Sequence, residues 1–196
     1  MKIYDKIEQG SPEWFALRLG KLTGSDAQAI ATSGKGLETL AYKKVAERMT
    51  GKTEEQYTNE DMARGNELEA LARNTYELET GKIVKRIGFA EFDENIGSSP
   101  DGLVGEDGMI EVKCKNDPLF VKYMYERKIE SAHNWQIQMN LHILNREWCD
   151  YIVFNQNFPK TMIITRIHKN ESDIIKIKAG IATGISMINN ILKKVK

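Results

Sequence analysis

The chain has 196 residues, 41% hydrophobic and 29% charged, which suits one globular domain with a sizeable core. Its 28 basic and 28 acidic side chains cancel, so no global field draws it to a polyanion, and any DNA-binding surface must be local. Two cysteines, Cys114 and Cys149, exclude a disulfide framework and favour a reducing compartment. With no secretory leader and no apolar run of about 18 residues, a soluble cytoplasmic protein without membrane association is expected.

In chain order, Ser11-Pro12-Glu13 predicts a helix start, with Ser as N-cap, Pro at the first helical position and Glu in the first turn. This short helix carries Trp14, Leu17 and Arg18 and should stop at Gly20. Ser25 predicts a second N-cap, opening DAQAIAT. SGKG at 33–36 resembles a phosphate loop, but the pattern requires glycine at 29 and Ser or Thr at 36; Ala29 and Gly36 exclude it. Helical spacing returns over 37–50 and 60–80, each stopped by a glycine, Gly51 and Gly81. From 83 to 114 the chain becomes short, β-branched and punctuated by turns, as antiparallel strands are. Asp117-Pro118 opens a helix through 128, and HNWQIQMNLHIL (133–144) forms the next. Strands follow near 150–155 and 161–167, and Ser172 is expected to cap a last helix with Ile174, Ile177, Ile181, Ile185, Ile188 and Leu192 at core spacing. This order predicts a single α/β (α+β) domain, residues 1–196, built around a central sheet.

The chemistry concentrates in SSPDGLVGEDGMIEVKCK (98–115). In a strand, residues two apart share a face, so Glu111 and Lys113 point one way while Val112 and Cys114 point the other. A hairpin turn at Glu106-Asp107-Gly108 brings Asp101 beside Glu111. Two carboxylates at a sheet edge suit a hard divalent cation, and an ammonium beside it can orient a water and steady charge on a phosphate. Alone, P-D-x₉-E-x-K is a loose pattern, and the same alternation occurs on solvated strands.

Four stretches sharpen it. WFALRLGKLTGSDA (14–27), RGNELEALARNTYE (64–77), GSSPDGLV with IEVKCK (97–104, 110–115) and HNWQIQMNLHI (133–143) resemble, in order and spacing, the lambda-type phage exonucleases, the YqaJ-like viral recombinase group. The resemblance covers roughly residues 11–155. It implies a restriction-endonuclease-like PD-(D/E)xK core, a central mixed sheet flanked by helices, and Mg²⁺-dependent 5′→3′ degradation of one strand of linear duplex DNA, with Mn²⁺ as a substitute. The 3′ overhangs left behind would serve phage recombination through a single-strand annealing partner, in the host cytoplasm. Asp101, Glu111, Glu69 and the Val112 carbonyl match the metal-site residues, and Lys113 matches the catalytic lysine. Arg18, Ser25, Ser99 and Gln136 match the set that holds a terminal 5′-phosphate. The resemblance also implies a homotrimeric ring.

Several residues keep two readings. Glu67 neighbours Glu69, and the choice between them rests on alignment. Lys115, Lys122, Arg127 and Lys128 fit a DNA channel or a solvated helix face. Trp14, Trp135 and Met139 read as core rather than as base-stacking residues. His133, His142 and His168 lack zinc spacing, and Cys114 reads as a small packed side chain. Longer family members carry a basic residue after the catalytic lysine where DPLF (117–120) offers none. The alternatives to an exonuclease are a structure- or site-specific endonuclease on the same core and a non-catalytic DNA-binding protein that kept the fold.

Overall fold

The computed structural model describes residues 1–53 and 60–195, with side chains in the second stretch described from 68 onward. Glu67, the alternative to Glu69, therefore lies outside the described side chains. The chain begins with β1 (Lys2–Tyr4) and α1 (Pro12–Arg18), whose N-cap Ser11 accepts from the Trp14 N–H. Gly20, at φ +67°, turns the chain into β2 (Leu22–Thr23).

A 3₁₀ turn over Gly24–Asp26 then leads into α2 (Ala27–Thr32). The cap here differs from expectation. Asp26 accepts from both the N–H and the hydroxyl of Thr23, at 2.9 and 3.0 Å, so Thr23 and Asp26 close the turn and Ser25 caps nothing. Its hydroxyl is left on the surface beside Arg18.

Helices α3 (Lys35–Thr50) and α4 (Glu60–Thr80) follow, then β3 (Val84–Lys85), β4 (Phe89–Glu91), β5 (Ile96–Ser98), β6 (Gly102–Val104) and β7 (Gly108–Cys114). Helix α5 (Asp117–Glu126) stops short of the expected 128 because Arg127 takes the left-handed conformation at φ +51°. Helix α6 (Ser131–Leu144), β8 (Trp148–Phe154), β9 (Met162–His168) and α7 (Glu171–Val195) complete the order. Asn170, not Ser172, caps α7: its Oδ1 accepts from the Asp173 N–H and from the Ser172 hydroxyl. The amide side chain reaches the first turn from outside the helix, where Ser172 is already inside it.

Five strands form a mixed sheet in the order β3-β6-β7-β8-β9, parallel only between β7 and β8. A second sheet, β1-β4-β5-β2, holds four short strands, with β2 parallel to β5. The 83–114 block is thus divided between two sheets. Strands β1 and β2, of three and two residues, carry too little alternation to be seen in the sequence.

Helices cover both faces of the five-stranded sheet. Ala72 and Tyr76 of α4 pack on Val104, Ile110, Val112 and Ile152. Phe120, Ile137 and Leu141 of α5 and α6 pack on Met109, Tyr151 and Val153 from the other side. A buried carboxylate fastens α4: Asp150 on β8 accepts from Tyr76 Oη at 2.7 Å, Lys82 Nζ at 3.1 Å and two nitrogens of Arg166 at 2.8 Å. A third cluster joins α2, α3 and α7 to Leu22, Ile96 and Met139. Among the described residues no helix is long and apolar enough to cross a membrane.

Two glycines let α7 approach α2 and α3, and they predict different responses to alanine. A Cβ at Gly180 would collide with the Ile30 carbonyl, which backbone geometry holds in place. Overpacking of that kind costs about 1–3 kcal/mol, more than the roughly 1 kcal/mol of helix propensity that alanine adds. A Cβ at Gly184 meets the tip of Leu37 at 3.1 Å, and a leucine methyl can give way. Gly180→Ala should therefore lower unfolding free energy by about 1–2 kcal/mol, and Gly184→Ala should leave it within about 0.5 kcal/mol, as read by urea denaturation.

Candidate active site

The β6–β7 hairpin builds the centre of the site. Val104 pairs with Gly108 across a turn in which Gly105 takes φ +55°, and Gly102 pairs with Ile110. This register sets Asp101, just before β6, next to Glu111. Strand β7 continues beyond β6, and the Val112 N–H on that side is taken by Asp101 Oδ2 at 2.6 Å instead of by a backbone carbonyl. In a strand, the N–H and C=O of one residue point to the same side, so the Val112 carbonyl faces the same gap.

Glu111 is fully buried, and one carboxylate oxygen accepts from Lys113 Nζ at 2.8 Å. The other, Oε2, is buried with no hydrogen-bond partner. Lys113 Nζ also reaches Gln136 Oε1 of α6, at 3.5 Å. Glu69 comes from α4 on the far side and pairs with Arg73 one turn along the helix. Glu111, Lys113 and Gln136 are thus joined by direct contacts, Asp101 is tied to the same strand through the Val112 N–H, and Glu69 stands within electrostatic reach.

The charges strain against burial. Desolvation, with the Asp101 charge adding to it, pushes the Glu111 carboxyl up to about 8. Desolvation and Asp101 likewise push Glu69 up to about 7, against the pull of Arg73 and Arg86. Desolvation also raises Asp101, despite the opposing charges of Lys113 and Arg73 and the Val112 N–H. Burial alone would lower the Lys113 ammonium, but Glu111, Asp101 and Glu69 together hold it above its ordinary value. Lys113 therefore stays protonated, suited to donating hydrogen bonds rather than to acting as a base.

The donor set fits a hard cation in its chemistry: two adjacent carboxylates, a backbone carbonyl on the same gap, and a buried carboxylate oxygen left unpaired. Among the described residues no three His, Cys, Asp or Glu side chains are already gathered around one point. Glu69 is the separated member, held by Arg73.

The other candidates form an adjoining patch. Arg18 stacks over the Trp14 ring at 4.2 Å and donates to Ser25 Oγ at 3.2 Å and Thr23 Oγ1 at 3.4 Å. Trp14 Nε1 donates to Ser99 Oγ at 2.8 Å and to the Gly88 carbonyl at 3.1 Å. Trp14 is therefore not a core residue as expected; it is half-buried and links Arg18 to Ser99. Gln9 holds the next residue by donating to the Pro100 carbonyl at 2.9 Å. Ser99 and Asp101 flank that proline, so one short segment joins this patch to the carboxylates.

A family model for the YqaJ-like viral recombinase domain matches residues 13–147, a span that takes in every residue just described except Gln9. The chain belongs to that family. No curated protein matches the chain significantly. Two crystal structures of LHK-Exo, an alkaline exonuclease from Laribacter hongkongensis, are similar along nearly the whole length. The one in complex with dAMP is 31% identical, with a TM-score of 0.87 over 95% of this chain and 96% of that one. A phage-related exonuclease from Haemophilus somnus 129PT is 16% identical, with a TM-score of 0.73 over 90% of this chain and 96% of that one, and shares the fold.

Three residues of this YqaJ-like site escaped sequence reasoning: Trp14 as a bridge, Gln9 as a clamp and Arg73 as the partner of Glu69. Only Arg73 left a signal, its spacing of four from Glu69 on a predicted helix. Burial, with the Lys113 charge adding to it, lowers the His133 imidazole to about 4; its Nδ1 lies 2.9 Å from Tyr151 Oη. Cys114 is half-buried, and burial pushes its thiol up to about 11, in keeping with a packing role.

The raised carboxyls make stability depend on pH with a definite sign. A carboxyl raised on folding binds more protons in the native state, so stability is full below its unfolded value and is lost as pH rises toward the folded one. For Glu111 that window runs from 4.5 to about 8. In a chelating buffer, wild type should lose stability across it relative to Glu111→Gln, which has no proton to release there. The two variants' unfolding midpoints should diverge steadily with pH, Glu111→Gln being the more stable at the alkaline end.

Proposed function

We propose that the chain is a Mg²⁺-dependent 5′→3′ exonuclease that degrades one strand of linear duplex DNA and leaves 3′ overhangs for recombination. The observation that carries this reading is the convergence of Asp101, Glu111 and Lys113 on one gap in the sheet, with Glu111 Oε2 buried and unpaired. LHK-Exo, similar over nearly the whole chain, is an exonuclease, which supports the reaction class.

The chain's residues divide the work. Asp101, Glu111 and the Val112 carbonyl would hold the cation, with Glu69 completing the set. Bound Mg²⁺, or Mn²⁺ in its place, would supply Lewis acidity and a more acidic bound water. Lys113, kept protonated, orients the attacking water and steadies charge developing on the scissile phosphate. Gln136 adds an amide beside Lys113 without adding charge. Arg18, Ser25, Ser99 and Gln136 would take the terminal 5′-phosphate, Arg18 supplying a permanent cation and the others neutral donors. Holding that end fixes which bond lies over the carboxylates, and so the direction of digestion. The homotrimeric ring, the annealing partner and action as one domain in the host cytoplasm belong to the same reading.

Removing either carboxylate should weaken metal binding, and removing the ammonium should not. Asp101→Asn and Glu111→Gln are expected to lose both divalent-metal binding, measured by calorimetry, and digestion. Lys113→Ala should bind metal and lose activity by at least about 100-fold, the scale on which one transition-state donor acts. Normal digestion by a folded variant would remove that residue from the mechanism.

The patch around Arg18 makes a separate prediction. Linear duplex with a 5′-phosphate should be digested faster than the same duplex with a 5′-hydroxyl, and Arg18→Ala should erase most of that preference. Equal rates on both ends would discard the pocket while leaving the nuclease. Cutting of closed circular duplex would favour an endonuclease instead.

A further inference from the structure

Three of the residues proposed to hold the terminal phosphate lie beside segments that share one buried side chain, Asn140. It sits one turn beyond Gln136 on α6 and is 1% exposed. Its Oδ1 accepts from Ser98 Oγ at 2.8 Å, and Ser98 adjoins Ser99. The same amide lies against Gly24, which adjoins Ser25, so closely that a Cβ on Gly24 would collide with Asn140 Oδ1.

Packing alone does not account for an asparagine here. Its Nδ2 is buried without a hydrogen-bond partner, and a donor left so costs about 1–3 kcal/mol. Its helix neighbours Met139, Leu141 and Ile143 are buried and apolar, so a leucine would suit the interior. The polar group does make one link that leucine could not, between β5 and α6.

Resting on the phosphate-pocket reading above, we infer that Asn140 is a positioning residue for the 5′-end pocket. It sets the spacing between the 24–26 turn, the 98–99 segment and α6, so that Ser25, Ser99 and Gln136 address one phosphate. The Ser98 bond holds the backbone from which Ser99 projects. The contact with Gly24 lets the turn close onto α6 while Ser25 stays within reach of Arg18. Nδ2 is fully enclosed, so Asn140 acts through these segments and does not touch the phosphate itself.

The test is the ratio of kcat/KM on 5′-phosphoryl and 5′-hydroxyl duplex, in variants whose folding is checked by urea unfolding. Asn140→Leu removes both polar atoms at similar volume. Ser98→Ala, a one-atom deletion at the other end of the bond, gives a second route should the leucine variant fail to fold. Misplacement of a binding group by an ångström can cost on the order of 100-fold, so a ratio lowered by about ten-fold in Asn140→Leu, chiefly through KM on the phosphorylated end, is expected. Ser98→Ala should lower it by about three-fold, the scale of one lost neutral hydrogen bond. A ratio unchanged in the folded variants would overturn the inference and leave Asn140 as a packing residue, whatever happens to their melting points. Should wild type itself ignore the phosphate, the pocket reading falls and this inference with it. A wild-type preference erased by Arg18→Ala but intact in both new variants would sink this inference alone.

Discussion

The site depends on β6 ending before β7 does. Where β6 stops, opposite Ile110, the sheet edge needs something to take the Val112 N–H, and Asp101 Oδ2 does so. A backbone carbonyl in that place would have continued the ladder and put a peptide where the carboxylate now stands. Pro100 helps to impose the break, because it has no N–H to offer a neighbouring strand, and Gln9 occupies its carbonyl from outside. An interrupted ladder thus becomes a cleft lined by a carboxylate, the Val112 backbone carbonyl and the buried Glu111.

That arrangement is electrostatically unfavourable on its own, and the fold answers it with the cations of Lys113 and Arg73. Burial raises the proton affinity of Asp101, Glu111 and Glu69, the Asp101 charge adds to it for both glutamates, and Lys113 and Arg73 draw it back. The answer is incomplete, as Glu111 Oε2 shows by having no donor. Well-packed apolar side chains would be more stable in the same space, since buried ion pairs seldom recover their desolvation. Rigidity is supplied from elsewhere: Asp150, on the strand beside β7, collects Tyr76, Lys82 and Arg166 and holds α4, the helix that presents Glu69 and Arg73. A fully satisfied carboxylate on one strand thus fixes the helix that carries Glu69.

Much of this was legible in the sequence, for reasons that differ by residue. The ends of α1, α3 and α4 followed from Gly20, Gly51 and Gly81, and the face shared by Glu111 and Lys113 followed from the two-residue period of a strand. The hairpin turn lies at 105–107 rather than at the expected 106–108, and this one-residue difference pairs Gly102 with Ile110 and so sets Asp101 beside Glu111. The caps at Ser25 and Ser172 were misplaced because capping is decided by which side chain reaches the first turn, and Asp26 and Asn170 compete at distances of one or two residues. Trp14 looked like core because apolar spacing says nothing about its indole N–H, which here determines what the residue does. The Asp150 cluster was hidden altogether. Its members are spread from Tyr76 to Arg166 and meet only through strand pairing and the packing of α4, neither of which leaves a periodic trace.

In the proposed reading, the segment Ser99-Pro100-Asp101 would tie the two halves of the site to one reaction. Along an extended chain, residues two apart are separated by about 7 Å, and proline keeps this stretch extended and stiff. In the proposed reading, Ser99 addresses the terminal phosphate and Asp101 the scissile one, so the gap between grip and cut is set by the backbone itself. About 7 Å is the scale of one nucleotide rather than of a run of them. Trp14 holds Ser99 from one side and the Val112 N–H holds Asp101 from the other, so the segment has little freedom to stretch. Such a ruler favours release of single nucleotides from an end. It also explains why recognition of the terminus and the chemistry would be built on one stretch of chain rather than on separate loops, whose independent motion would blur the register between them.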